Sequence, residues 1–307
     1  MTAVALPQVV DQAGAYPDMP TVVYHADPIP GGSLSYSGAK RLLPPSTPAK
    51  FRWWVDNGQP VKKEFDFGHA AHAEMLGIGE PIIVVDAADW KTKAAREAAT
   101  EARAAGAVPI LPKDRAVIDA MGAKLREHPL ASALLDPLAG RPELSLFWPD
   151  NDFGVWRRSR LDWYRPPSAG RRAIIVDYKT CDKADPDAVA KAIADYRYHQ
   201  QGAYYLDGAT ACGLDGDIPT GYVMVFQEKT APYELNVVEP DWYALGVGAA
   251  LNRRALDVFA RCQASGVWPG YMPDPTQATV VSLPGWVERQ HERALWAGDY
   301  DTEADTP

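Results

Sequence analysis

The sequence predicts an α/β protein, with one central mixed sheet flanked by helices and preceded by a mainly helical N-terminal part. Three observations carry this. The chain has 307 residues, 47% hydrophobic and 23% charged, which is enough apolar material for a substantial core. Helix-forming stretches with caps and proline stops fill most of the first 140 residues. From residue 143 onward, short strand-like runs bounded by turn residues give way to longer helical stretches.

Residues 1–34 are rich in Pro and Gly, carry Asp27-Pro28 and Pro30-Gly31-Gly32 as turn signals, and are expected to be irregular. A short helix is predicted from Ser35 or Ser37 to Leu43, where Pro44 and Pro45 stop it, and a second over 48–57 carries Phe51, Trp53 and Trp54. The stretch 65–76 reads as a helix presenting Phe67, Ala71, Met75 and Leu76. The Ala-rich run 91–105 is a strong helix former ended by Gly106 and Pro109, and Asp114 is placed as the cap of a helix reaching His128.

Runs 143–148, 154–164 and 172–179 then read as an antiparallel meander, with Asn151-Asp152 in the first turn and 166–170 (Pro-Pro-Ser-Ala-Gly) in the second. Asp185 followed by Pro186 opens a helix to about residue 206. Strands over 221–228 and 233–238 and a helix from Pro240 to near Gly266 complete the pattern. Residues 35–286 are thus expected to form one domain, with 35–140 mainly helical and 141–286 holding the sheet and its helices. The acidic tail 287–307 is expected to be disordered.

Thirty-one basic and 40 acidic residues give a net charge of −9, which argues against a protein that coats nucleic acid over its whole surface. The distribution matters more than the sum. Lys40, Arg41, Lys50, Arg52, Lys62 and Lys63 form one basic island, and Arg157, Arg158, Arg160, Arg165, Arg171 and Arg172 another, as expected for a localised anionic ligand. Cys181, Cys212 and Cys262 form no CxxC pair, so no iron–sulfur cluster or zinc knuckle is expected. No apolar run reaches the length of a spanning helix and residues 1–10 do not read as a signal peptide, so a cytoplasmic protein with no membrane partner is expected.

The most informative segment is 173–179, an apolar run that ends in Asp177-Tyr178-Lys179. On a strand, residues i and i+2 share a face, so Asp177 and Lys179 lie side by side. Asp162 stands 15 residues earlier on the preceding strand, and the loop 166–170 brings the two aspartates onto neighbouring strands. Two hard oxygen ligands beside an ammonium group are the equipment for metal-assisted phosphodiester hydrolysis. Mg²⁺ takes carboxylates and water, and a lysine can orient the attacking water or stabilise developing charge. Gly68 and His72 lie on an earlier helix, Glu143 opens the meander, and Gln201 and Tyr205 share one helix face. His69, three residues from His72, and the pair Gln200 and Tyr204, one residue out of phase, are alternatives. Taken alone, an Asp-x-Lys is an ordinary strand-end ion pair; its company raises its meaning.

In this order, Gly68…His72, Asp162, Asp177-Tyr178-Lys179 and Gln201…Tyr205 make the chain resemble the RecE-like exonucleases (exodeoxyribonuclease VIII type), in the RecB-like branch of the PD-(D/E)xK, or restriction-endonuclease-like, superfamily. The contexts 143–148 and 158–162, 35–37, 46–48 and 268–271 look like the family as well, over about residues 24–286. The resemblance implies that His72, Asp162, Asp177 and the Tyr178 main-chain carbonyl bind Mg²⁺, with Mn²⁺ able to substitute. It makes Lys179 the catalytic lysine and sets Gln201 and Tyr205 against the phosphate backbone. Glu143 is a candidate for a second metal or a water. Arg158, Arg160, Lys50, Arg52 and Trp53 are candidate DNA contacts, Trp53 by stacking on unpaired bases.

The implied activity is 5′→3′ digestion of linear double-stranded DNA from its ends by a phage-type homo-oligomer that supplies strands to a single-strand annealing recombinase in DNA recombination. The alternatives are a catalytically weak DNA-end-binding module and a same-fold nuclease acting on single strands or as an endonuclease.

Overall fold

Side chains along two adjacent strands point alternately to two different cores. In β7 (Ile174–Cys181) and β8 (Gly221–Glu228), Ile175, Tyr222, Met224 and Phe226 enter one apolar cluster, while Val176, Tyr178, Val223 and Val225 enter another. Both faces of this part of the sheet are therefore covered, and the nearly unbroken apolar run of β8 follows from that double burial. The computed structural model describes residues 9–58, 64–272 and 276–300.

The described residues up to Trp268 form one compact unit. Its sheet also contains β1 (Gly14–Tyr16), β2 (Ser33–Ser35), β5 (Arg141–Asp150), β6 (Val155–Arg165) and β9 (Leu235–Val238), in the order β1-β5-β6-β7-β8-β9, with β2 paired to β6. The β5-β6-β7 meander is antiparallel as predicted, whereas β7–β8 and β2–β6 are parallel, so the sheet is mixed.

One face packs against α2 (Tyr36–Leu42), α3 (Pro48–Asn57), α9 (Tyr198–Ala211) and α10 (Trp242–Ser265), and the other against α4 (Glu64–Leu76), α6 (Pro112–Glu127) and α7 (Pro129–Leu134). The remaining elements of this unit are α1 (Thr21–His25), β3 (Ile82–Val84), α5 (Lys93–Ala104), β4 (Val108–Ile110) and α8 (Pro186–Asp195). No helix among the described residues is long and apolar enough to cross a membrane.

Several helices start where the sequence places them, with side-chain caps from Ser35, Thr47 and Asp185 to the free amides of the first turn, while the helix expected from Pro240 starts at Trp242 behind its cap Asp241. Other expectations are corrected. The N-terminal segment is not irregular throughout: β1 pairs with β5 and β2 with β6, both strands too short for periodicity to reveal. Asp114 does not cap α6, because Pro112 supplies the first turn and the N-cap is Leu111. The parallel pair β3–β4 interrupts the helical part. The single helix expected after Asp185 is two, α8 and α9, broken where Arg197 takes a left-handed backbone conformation, φ 59°.

The described residues from Pro269 onward form a second unit. Part of the segment expected to be disordered is helical there: α11 (Gly285–Ala297) is built from good helix formers, closes on Gly298 in the left-handed conformation, and buries none of its residues.

The crossing of α9 and α10 is set by Gly248. A Cβ there would stand 2.3 Å from the carbonyl oxygen of His199 and 2.9 Å from the Cα of Gln200, so backbone meets backbone. Gly246, on the same helix, has open space around it. Alanine is the better helix former at both positions, by about 1 kcal/mol. Gly246→Ala is expected to stabilise the protein by up to that amount in denaturant unfolding. Gly248→Ala is expected to destabilise it by about 1–3 kcal/mol, because α9 must move. A stabilising Gly248→Ala would contradict the close crossing.

Candidate active site

Two strands part where the chemistry-bearing residues stand. β6 and β7 pair only through Arg165–Ile174, Tyr164–Ile175 and Trp163–Val176. The next positions in that register are Asp162 and Asp177, and there the ladder ends. Beyond the fork, β7 continues along β8 as far as Cys181, while β6 runs on between β5 and β2. Asp162 fills the gap with its carboxylate: Oδ2 accepts the Tyr178 backbone N–H at 3.1 Å, an amide that the β6–β7 ladder leaves free.

The side chain of Asp177 is fully buried, at 0% exposure. Lys179 Nζ lies 2.5 Å from its Oδ2, as the i, i+2 spacing predicts, and Gln201 Nε2 donates to its Oδ1 at 2.9 Å. The same Gln201 nitrogen lies 3.0 Å from the Tyr205 hydroxyl, while Gln201 Oε1 is buried and makes no hydrogen bond. From the opposite face of the sheet α4 delivers His72, whose Nε2 is 3.1 Å from Asp162 Oδ2 and whose Nδ1 is 3.9 Å from Glu143 Oε1. Glu143 stands between the pairs Pro142–Trp163 and Leu144–Leu161, level with Asp162. Its backbone is left-handed, φ 52°, a conformation worth about 1–3 kcal/mol of strain for such a residue.

The charges are strongly coupled. Burial drives Asp177 up, and the neighbouring Asp162 charge adds to this against the pull of Lys179, leaving its pKa at about 6. Burial acts on Asp162 in the same direction but is overcome by His72, Lys179 and the Tyr178 amide, which hold it at about 2. Burial lowers the pKa of His72 and of Lys179, yet the carboxylates outweigh it and both stand above their ordinary values. Lys179 is therefore an ammonium ion, a donor rather than a base, throughout the neutral range.

The structure brings together His72, Glu143, Asp162, Asp177, Tyr178, Lys179, Gln201 and Tyr205. It separates the alternatives. His69 is exposed, whereas His72 faces the carboxylates. Tyr204 donates to the Leu34 carbonyl, and the Gln200 side-chain amide makes no hydrogen bond to the site.

The expected DNA contacts fare differently. Arg158 is committed to Asp27 and Ser33, and Arg160 to Glu143, Met19 and Thr21, so both tie the N-terminal segment to β6 rather than face an open groove. Arg157 is buried between the Trp148 and Tyr204 rings and pairs with Asp150 and Asp207. The second basic island is thus dispersed through the fold. On α3, Arg52 pairs with Asp56, and Trp53 is exposed. Lys62 and Lys63 lie outside the described residues.

Tyr36 and Tyr198 had no predicted role, yet both line the site. The charges of Asp177 and Lys179 act on both hydroxyls, and Lys179 Nζ stands 5.1 Å from the Tyr198 ring centre. Tyr198 precedes Gln201 by three residues and Tyr205 by seven on α9, a helix-face spacing that sequence alone could have revealed.

Among the described residues, no group of three or more His, Cys, Asp or Glu side chains is gathered as a formed metal site. The donor set nonetheless has the chemistry of one: two carboxylates and an imidazole, currently satisfied by ion pairs, beside the unbonded buried oxygen of Gln201.

These ion pairs make a stability prediction. Lys179→Met leaves the Asp177 carboxylate buried without its counter-charge and is expected to cost about 3–5 kcal/mol near neutral pH. Asp177→Asn with Lys179→Met removes both charges and is expected to recover most of that loss. A carboxyl whose pKa is higher in the folded than in the unfolded state stabilises the fold at low pH and loses that contribution as pH rises through about 6. The melting temperature of Lys179→Met should therefore fall between about pH 5 and 8 more steeply than that of the double variant. Parallel slopes would mean that Asp177 is not the group responsible.

Comparison with known proteins bears on the fold and the family. Residues 62–274 match the family described as a PDDEXK-like domain of unknown function (DUF3799). The crystal structure of a candidate exonuclease from Eubacterium rectale superposes with a TM-score of 0.55 at 13% identity, covering 83% of this chain and 91% of that one. At that identity the likeness is one of fold. No curated protein matches the chain. The fork with its two aspartates and lysine lies wholly within the matched residues, and the chain belongs to the DUF3799 family of PDDEXK-like domains, within the PD-(D/E)xK nuclease superfamily.

Proposed function

We propose that this protein is a divalent-metal-dependent deoxyribonuclease of the RecE-like type, digesting linear double-stranded DNA from its ends. The observation that carries the reading is the buried Asp162–Asp177–Lys179 group at the strand fork, with His72 against it. His72, Asp162, Asp177 and the Tyr178 carbonyl would hold the cation. Bound there, Mg²⁺ or Mn²⁺ supplies Lewis acidity, neutralising charge on the phosphate and making water a stronger acid.

The chain's own residues do the rest. Lys179, held as an ammonium ion, donates a hydrogen bond to the attacking water or to the phosphate oxygen that gains charge. Gln201 holds Asp177 in place through its amide nitrogen, and its buried, unbonded oxygen remains free to accept a hydrogen bond. Water adds to phosphorus, the bond to the departing sugar oxygen breaks, and that oxygen takes up a proton. A 5′→3′ polarity, a homo-oligomer that encloses DNA and an annealing recombinase as partner belong to the same proposal and rest on the resemblance.

A second reading, a DNA-end-binding module with weak catalysis, draws on one observation: the ligand atoms of Asp162 and Asp177 are taken up by His72 and Lys179.

Linear duplex DNA labelled separately at its 5′ and 3′ ends distinguishes these readings. With Mg²⁺ or Mn²⁺, the wild type is expected to release label from one end first and to spare circular duplex. Asp177→Ala should be inactive, and Lys179→Ala slower by about 10²-fold or more. DNA binding without digestion by folded wild type would favour the second reading. Because Asp177 and His72 must each lose a proton to ligate, cation affinity measured by calorimetry should fall below about pH 6 by up to about a hundredfold per pH unit.

A further inference from the structure

The loop that joins α8 to α9 holds an aromatic ladder leading away from Lys179. Tyr198 carries its ring 5.1 Å from Lys179 Nζ. Tyr196 stacks on Tyr198, with ring centres 5.5 Å apart and planes inclined by 29°, and is itself 56% exposed. Residues two apart on a helix point to different sides; these two rings meet because Arg197 between them is left-handed, φ 59°. Such a conformation is strained in a residue with a side chain, and the surroundings pin it. The Tyr36 hydroxyl donates to the carbonyls of Tyr196 and Arg197, each at 3.0 Å, Lys40 Nζ donates to the Tyr196 carbonyl at 2.8 Å, and Arg197 bonds the Pro44 carbonyl. Lys40 Nζ also lies 5.9 Å from the Tyr196 ring centre. The result is a rigidly held, solvent-facing aromatic ring with one ammonium group at its margin and another, Lys179, beyond the next ring.

We propose that Tyr196 is a base-stacking residue that holds an unpaired nucleotide of the DNA strand beside the cleavage position, with Lys40 and Lys179 facing phosphates on either side of it. The inference rests on the nuclease reading and narrows its substrate. A base inside a duplex already has both faces stacked, whereas a frayed or overhanging nucleotide offers a free face to an aromatic ring. The enzyme therefore takes a strand that is locally unpaired at the site.

The test uses the full-length protein and a short single-stranded oligonucleotide carrying 2-aminopurine, whose fluorescence reports stacking, without divalent metal. Tyr196→Ala is expected to weaken binding by about 5- to 150-fold, the range for loss of one aromatic platform. Tyr196→Phe and Tyr196→Trp should stay within about twofold of wild type. The same order should appear in KM on linear duplexes, with ends bearing unpaired nucleotides preferred over blunt ends. Tyr196→Ala within about twofold of wild type, Tyr196→Phe as damaging as alanine, or no binding by wild type would each overturn the proposal. Its failure is separable from that of the nuclease reading. Loss of binding in Tyr196→Ala without digestion of labelled DNA by wild type sinks only the nuclease, and normal digestion by Tyr196→Ala sinks only the stacking.

Discussion

A carboxylate that replaces a rung of the sheet is the interaction on which the rest depends. Where β6 and β7 part, the Tyr178 amide would be an unpaired buried donor, and Asp162 Oδ2 satisfies it. This lets the sheet divide without leaving a free polar group. It also places a second carboxylate, Asp177, directly across the opening. Two acids so close and so deeply buried cannot both stay charged without cations, which is why the site is closed by Lys179 and His72 and why the two aspartates titrate far apart.

The fork needs support from both sides, and the two apolar clusters provide it. One anchors α4 through Ala70, Ala71, Met75 and Leu76, and so carries His72 to Asp162. The other anchors α9 through Tyr204, Tyr205 and Ala209, and so carries Gln201 to Asp177. Small residues set how closely α9 can lie. A Cβ at Gly208 would run into the Trp148 ring at 2.7 Å, and one at Gly202 into Tyr222 at 2.5 Å. The N-terminal strands belong to the same support: β2 occupies the edge of β6, and Arg158 and Arg160 fasten that segment down instead of facing open solvent.

Much of this was legible in the sequence because it is local. The order of the meander follows from strand-like runs and turn residues, and the Asp177–Lys179 pairing follows from a period of two. The pairing of Gln201 with Tyr205 follows from helix geometry, and the helix starts at Ser35, Thr47 and Asp185 follow from the residues that cap them. The loop over 166–170 joins the two neighbouring strands that carry Asp162 and Asp177, as the sequence implies. Each of these is decided between neighbouring segments of the chain.

The tertiary structure decided what depends on distant segments. His72 meets Asp162 across the sheet, and no periodicity links those positions. The three-residue strands β1 to β4 are too short to show a pattern and exist because a neighbour's edge needs a partner. Gln201 and Gln200 are equivalent by spacing, and only the packing of α9 turned the first toward Asp177. Whether an arginine on β6 faces a ligand or an internal acid was likewise settled by the N-terminal segment folding over it. The sequence by itself determined which residues share a strand face or a helix face, since backbone geometry repeats at short range. Only the tertiary structure decided which of those faces meet, since burial and charge pairing are summed over the whole chain.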